Sequence, residues 1–162
     1  MVRLLNDVDI NDVINFEKTN IIRNGKEFYC DIEMNKIYLS DAPMLRKCMF
    51  DGTIMFVGEY NKEQKLEKLC MFALPYQSTK STVVKIFFCN KDAIFVKNAI
   101  DVFCDFIEGS FYTKIRITTY GINNMNSILD IIEENELICE SVVDTNLGQR
   151  YVYSKYIMGD EI

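Results

Sequence analysis

The stretch FFCNKDAIFVKNAIDVF, residues 87–103, runs an apolar segment straight into an amphipathic one, the pattern of a buried strand entering a helix. A helix start presents free backbone N–H groups and is a natural seat for phosphate. Lys91 and Lys97 lie within about two turns of that start, and Cys89 ends the strand before it. Glu59 closes the strand-like TIMFVGEY, and Tyr120 follows the strand-like KIRITT. The chain has no histidine, which excludes Ser–His–Asp and Cys–His catalysis and histidine-ligated metals. Proton transfer therefore falls to carboxylate, tyrosine, cysteine, lysine or water.

Each of these residues has a plainer alternative. Glu59 either projects from its strand end into a cleft as a base or is an exposed hairpin residue beside NKEQ. Tyr120 sits at the carboxyl end of a strand expected to be parallel, where α/β proteins bind ligands, or it packs as an ordinary aromatic. Cys89 needs a cationic neighbour to become a thiolate and otherwise packs as a core thiol. Asp92 reads as an N-cap whose own carboxylate takes the place a phosphate would fill. Tyr151 and Tyr153 fall on one face of the last strand, where they line an acceptor pocket or cover the sheet. The charged run NKEQKLEK, residues 61–68, reads as a solvated turn.

The elements that must position these side chains follow from periodicity. Val2–Leu5 is a short strand. A helix carries Ile10, Val13, Ile14 and Phe16 on one face, with Asp9 as its expected cap. Residues 19–40 resist assignment, although FYCDIEMNKIYL has strand-like pieces. A helix starts at Asp41–Ala42–Pro43 and breaks at Asp51–Gly52. TIMFVGEY, KLCMFALPY and STVVKIFF read as three strands. The helix at 92–107 carries Val96, Ala99, Ile100, Phe103, Phe106 and Ile107 on one stripe. KIRITT is a strand, MNSILDIIEEN a helix, and LICESVV with RYVYSKYI a closing hairpin around DTNLGQ. Helices inserted singly between strands require crossovers, so part of the sheet is parallel and covered on both faces.

Composition sets the outer bounds. The 162 residues are 49% apolar and 26% charged, which suits one soluble α/β domain spanning 1–162. No window resembles a membrane helix and the amino terminus lacks a secretory layout, so a cytoplasmic location is expected. Six scattered cysteines with no close pair suggest reduced, mostly buried thiols. A net charge of −6 and a pI near 4.8 disfavour nucleic acid and favour neutral or cationic small partners.

The element order, with a central β–α–β and a carboxy-terminal hairpin, resembles the GNAT acyltransferase family over nearly the whole chain. VRLLNDVDINDVINFE looks like that family's first strand and helix. NNMNSILDIIEENELICES looks like its Asn-x-x-Ser-Ile helix start, with Asn124 and Ser127 on the Asn and Ser. VYSKYI is similar to its terminal strand. The resemblance implies a mixed sheet of about seven strands flanked by about four helices, with two central parallel strands splayed apart. It also implies acyl-CoA, acetyl-CoA in the first instance. The donor's pantetheine arm would lie along Phe87, Phe88 and Cys89, and its pyrophosphate would lie near Lys91 and Lys97, with Asn124 close by. Glu59 would be the base and Tyr120 the acid in transfer to a small-molecule or peptide amine, and the terminal hairpin could pair across a homodimer. The departures are specific. CNKDAIFVK lacks both glycines of the family's Arg/Gln-x-x-Gly-x-Gly/Ala loop, and Ile132 stands where many members carry a tyrosine. Two readings follow: an N-acyltransferase, or a domain of that fold that binds without turnover.

Overall fold

The apolar runs in IMFVGEY and LEKLCMFA build an antiparallel pair on one side of the sheet's central strand. The computed structural model describes residues 1–21, 30, 41–75, 81–120, 125–146 and 148–157. Among these, the strands are β1 (Val2–Leu4), β2 (Ile54–Tyr60), β3 (Leu66–Ala73), β4 (Val83–Cys89), β5 (Lys114–Tyr120), β6 (Ile138–Thr145) and β7 (Gly148–Tyr156). The α-helices are α1 (Ile10–Phe16), α2 (Ala42–Phe50), α3 (Ala93–Phe106) and α4 (Met125–Glu134). The strands form one sheet in the order β1-β2-β3-β4-β5-β7-β6. Its parallel pair is β4–β5; the other neighbours run antiparallel. The expected α/β architecture is therefore present.

Two apolar layers hold the sheet. On one face α1 and α2 deliver Ile10, Val13, Phe16 and Leu45 onto Phe56, Leu69, Met71 and Phe87. On the other, α3 delivers Phe95, Val96, Ala99, Ile100 and Phe103, and α4 delivers Ile128, Ile131 and Ile132. Phe103 stacks on Phe72 of β3 with ring centroids 4.1 Å apart. Phe106, expected on the inward stripe, is 62% exposed. By angle it falls between Phe95 and Ala99, at the margin of the buried face, and it is the last residue of the helix. Tyr153 is buried within the layer beneath α3 and α4, so on the last strand the covering role holds for that ring.

Helix ends follow local chemistry, with one correction. Asp41 accepts from Met44 N to start α2, and Gly52, at φ 66°, ends that segment in the left-handed region. Asp9 does not cap α1 through its side chain. Instead Asn6 caps a 3₁₀ turn at Asp7–Asp9, and the Asp9 carboxylate accepts from Arg3, Asn6 N and Tyr60 Oη. The Arg3 guanidinium makes both of its bonds at 3.0 and 2.7 Å, a bidentate fork matched to a carboxylate. This ties β1 and the first helical turn to β2. Burial and the two neighbouring carboxylates, Asp12 and Asp9, push the Tyr60 hydroxyl well above its ordinary pKa.

Two outcomes follow. Phe103→Ala removes a stacked, fully buried ring and lowers stability by about 3–5 kcal/mol in urea unfolding. The hydrogen bonds from Arg3 hold the Asp9 carboxyl at about 2, below its usual 3.8, so its contribution of about 2 kcal/mol is present above pH ~4 and lost as pH falls through ~2. Asp9→Asn is therefore less stable than wild type by that amount near neutrality, and the gap closes on acidification.

Candidate active site

The parallel ladder between β4 and β5 is short. It runs from Val83↔Lys114 to Ile86↔Ile117 and then stops, although β4 continues to Cys89 and β5 to Tyr120. Each strand keeps its outer neighbour past that point. On one side Phe88 pairs with Met71 and Cys89 with Cys70. On the other, Thr118, Thr119 and Tyr120 pair with Val152, Tyr151 and Arg150. The two halves of the sheet therefore fork. The β3–β4 register steps from Ile86 to Phe88, which puts a bulge at Phe87. This bulge turns the strand at the mouth of the fork. Main-chain groups along the inner edges of a fork are those an extended ligand can meet.

Phe87 is fully buried among the α1–α2 layer. Cys89 is 1% exposed and its Sγ lies 3.4 Å from that of Cys30. The hydrogen bond with Cys30, together with burial, pushes the Cys89 thiol well above its usual pKa, the opposite of an activated thiolate. Tyr120 is 2% exposed at the last position of β5, beyond the end of the parallel ladder. Phe87, Phe88 and Cys89 therefore lie on the β4 arm of the fork and Tyr120 on the β5 arm, with Phe87 and Cys89 in opposite apolar layers. Asn124 lies outside the described residues.

The helix start beside the fork has its own occupant. Asp92 is the N-cap of α3 and accepts from Phe95 N at 2.9 Å. Its other oxygen is 2.8 Å from Lys68 Nζ, and Lys68 also pairs with Glu59 at 3.0 Å. Lys68 and the capping bond hold the Asp92 carboxyl below its ordinary range. Lys68 itself is raised by Asp92 first and by Glu59. Glu59 thus sits two strands from the fork, cross-strand from Lys68, with the chain's amino group 3.9 Å away. Lys91 is half-buried immediately before the cap. Lys97 pairs with Glu134 at 3.0 Å and clips α3 to α4.

Lys68 went unrecognised in the sequence because it closes NKEQKLEK. That run is a turn only to residue 65, since β3 begins at Leu66, and the signal lay in KLEKL, whose Leu66 and Leu69 belong to the core layer. Cys30 was hidden in the segment that resisted assignment.

A cofactor of the implied kind therefore meets two different surfaces. The forked β4 edge fits a pantetheine arm, which needs backbone groups and little else. The α3 start resists a pyrophosphate, because a carboxylate already caps it and the lysine paired with that cap, Lys68, is neutralised by two acids. Among the described residues no cluster of three or more Cys, Asp or Glu side chains could hold a metal. No described helix is long and apolar enough to cross a membrane. A separate cavity of about 430 Å³, lined by Leu5, Arg46, Met49, Phe50 and Ile54 among others, lies at the opposite end of β1 and β2 from the fork.

A GNAT-family acetyltransferase from Streptococcus pneumoniae superposes with a TM-score of 0.69 at 10% identity, covering 98% of this chain and 99% of that one. The chain has the GNAT fold. A spermidine N-acetyltransferase variant from Vibrio cholerae matches with a TM-score of 0.66 at 11% identity, over 97% and 93% of the two chains. An aminoglycoside 6'-acetyltransferase of type Ii gives 0.67 at 8% identity, over 99% of each. At such identities the likeness is one of fold. No family model and no curated protein matches the chain. The fork and the α3 start that follows it are parts of that shared fold.

Asp92→Asn keeps an oxygen for Phe95 N–H but removes the charge. Inorganic pyrophosphate then binds ~2–5-fold tighter by calorimetry, while stability changes by no more than about 1 kcal/mol, as expected for a surface pair. Unchanged pyrophosphate binding would mean that Asp92 does not guard the helix start.

Proposed function

We propose that this chain is an acyl-CoA-dependent N-acyltransferase that moves an acyl group, acetyl in the first instance, onto a primary amine. The fork between β4 and β5 is the observation that carries the reading, since it opens extended main chain beside a helix start and supports the seating of a linear thioester arm. An acyl-CoA bound there supplies an activated acyl thioester. The chain's own part is placement and proton handling. The backbone of Phe87, Phe88 and Cys89 aligns the arm, and Lys91 meets its anionic end. Lys97, held by Glu134, stands further along the helix. Asn124 enters the donor set on its resemblance alone.

Of the two proton-handling candidates, we assign Tyr120 as the acid for the departing sulfur because it ends β5 past the last pair with β4. For Glu59 its ion pair with Lys68 favours an electrostatic role, fixing Lys68 near the α3 start, over that of a base. The amine's proton would then leave to water.

The acceptor we favour is a small cationic amine. An acidic chain of net charge −6 concentrates cations around it, and the neighbours named for spermidine and for an aminoglycoside are in keeping with that class. A peptide amino terminus is the next candidate. The same proposal includes a cytoplasmic location and a homodimer built on β6, an edge strand with Ile138, Val142 and Val143 exposed. The second reading, a domain that binds without turnover, is favoured by one observation, the carboxylate cap at the phosphate position.

Acetyl-CoA-dependent thiol release is expected with at least one amine in a panel of spermidine, an aminoglycoside, amino acid amides and a short peptide. Tyr120→Phe, which preserves the ring's packing, lowers kcat ~100-fold with little change in KM for the donor. Absence of thiol release across the panel would leave the binding-domain reading standing.

A further inference from the structure

The cavity of about 430 Å³ opens where β1 ends and β2 begins, and its size falls in the ~300–1,000 Å³ range of small-molecule pockets. Three segments line it: Leu5–Asp7, the end of α2 through Arg46, Met49 and Phe50, and the first residues of β2. Ile54 stands level with Ala73 and, through it, with Lys85, where β4 and β5 are still zipped together. The fork begins further along. Leu5 and Ile54 are buried in the layer beneath α1 and α2 and give the cavity an apolar floor. Phe50, one turn beyond Arg46, leaves 92% of its surface to solvent, apolar area that a ligand can cover. Two lining side chains carry charge. Asp7 follows Asn6, whose N–H and side-chain oxygen are already engaged by Asp9 and Val8. Among the described residues, the exposed side chains of Asp7 and Arg46 have no hydrogen bond or ion pair, with each other or elsewhere. An apolar acid would answer Arg46 but face Asp7, and an apolar amine would answer Asp7 but face Arg46. An α-amino acid answers both, because its ammonium and carboxylate flank one carbon and leave the side chain for the floor.

We propose that this cavity binds a free α-amino acid with a large apolar side chain, of the leucine or phenylalanine class. The Arg46 guanidinium takes the carboxylate, to which its planar fork of N–H donors is matched. Asp7 takes the ammonium, and Leu5, Ile54, Met49 and Phe50 cover the side chain. Each ionic contact contributes only ~2–5-fold in affinity, because both charged groups are exposed to water. Selectivity therefore comes from asking for all three parts at once. Glycine lacks the apolar part, leucine amide lacks the carboxylate, and 4-methylpentanoate lacks the ammonium. The site needs no acyl donor and stands whether or not the fork holds one.

The test is an amide-shift titration of the full, ¹⁵N-labelled chain with leucine, phenylalanine, glycine, leucine amide and 4-methylpentanoate. Leucine and phenylalanine are expected to give saturable shifts at 5–7, 46–50 and 54–55, and glycine none. Leucine amide and 4-methylpentanoate bind there ~2–5-fold more weakly than leucine. Arg46→Gln removes the preference for leucine over its amide and keeps the preference over 4-methylpentanoate, and Asp7→Asn does the reverse. Both side chains are exposed, so the variants keep the wild-type spectrum away from the cavity. No saturable shift with either amino acid, shifts that fall elsewhere, or glycine binding as well as leucine overturns the proposal. So do analogues that bind as tightly as leucine, or preferences that survive both substitutions.

Discussion

Beyond Ile86 and Ile117 the two central strands are held by different partners, and the candidate site follows from that divided allegiance. β3 keeps β4 through Cys89 while β7 keeps β5 through Tyr120, and the extra residue at Phe87 turns β4 away as the ladder to β5 ends. A buried main-chain donor or acceptor without a partner costs about 1–3 kcal/mol, so a fork of this kind is stable only when its inner edges meet solvent, another segment or a ligand. The two apolar layers make the fork affordable. Phe87 is anchored beneath α1 and α2, Ile86 and Cys89 beneath α3 and α4, so neither strand can relax toward the other without breaking a packed layer.

The same geometry explains how charge is distributed around the site. β2, β3 and the α3 start share one end of the sheet, so Glu59, Lys68 and Asp92 form a continuous ion-pair row beside the fork and outside it. The row ends in the carboxylate cap of α3. Helix α3 thereby gains a satisfied N-terminus independent of any ligand, while the attraction of that terminus for phosphate is reduced. In the proposed function, donor affinity depends mainly on the backbone of β4. A site built from main chain tolerates wide drift in side chains, which is how a chain about 10% identical to its structural neighbours can keep the fork.

Much of this was readable in the residues. The strands and helices after Thr53 follow from periodicity, and the STVVKIFF and KIRITT segments point to a parallel pair with a helix between them. Asp92 was legible as a cap because Asp before an apolar run at helical spacing has few other uses. What escaped notice depends on contacts distant in sequence. Lys68 belongs to a strand only because Leu66 and Leu69 are pulled into the core. Asp9 serves Arg3 and Tyr60 because β1 and β2 happen to be neighbours, and the nearer Asn6 takes the capping role. Cys30 sits in a stretch without periodicity, and its partner Cys89 is 59 residues away. Glu59 reads as a cleft base or an exposed hairpin residue because nothing in the sequence shows that Lys68, at the head of KLCMFALPY, stands across from it.

The most direct test of the fork as a donor slot is an amide-shift titration of the uniformly ¹⁵N-labelled, reduced chain with acetyl-CoA. The account predicts that the largest and saturable changes fall on amides at 87–90 and 118–120, the two inner edges beyond the last parallel pair. Saturable changes confined to the far cavity around Leu5, Phe50 and Ile54, or no saturable change anywhere, would contradict it.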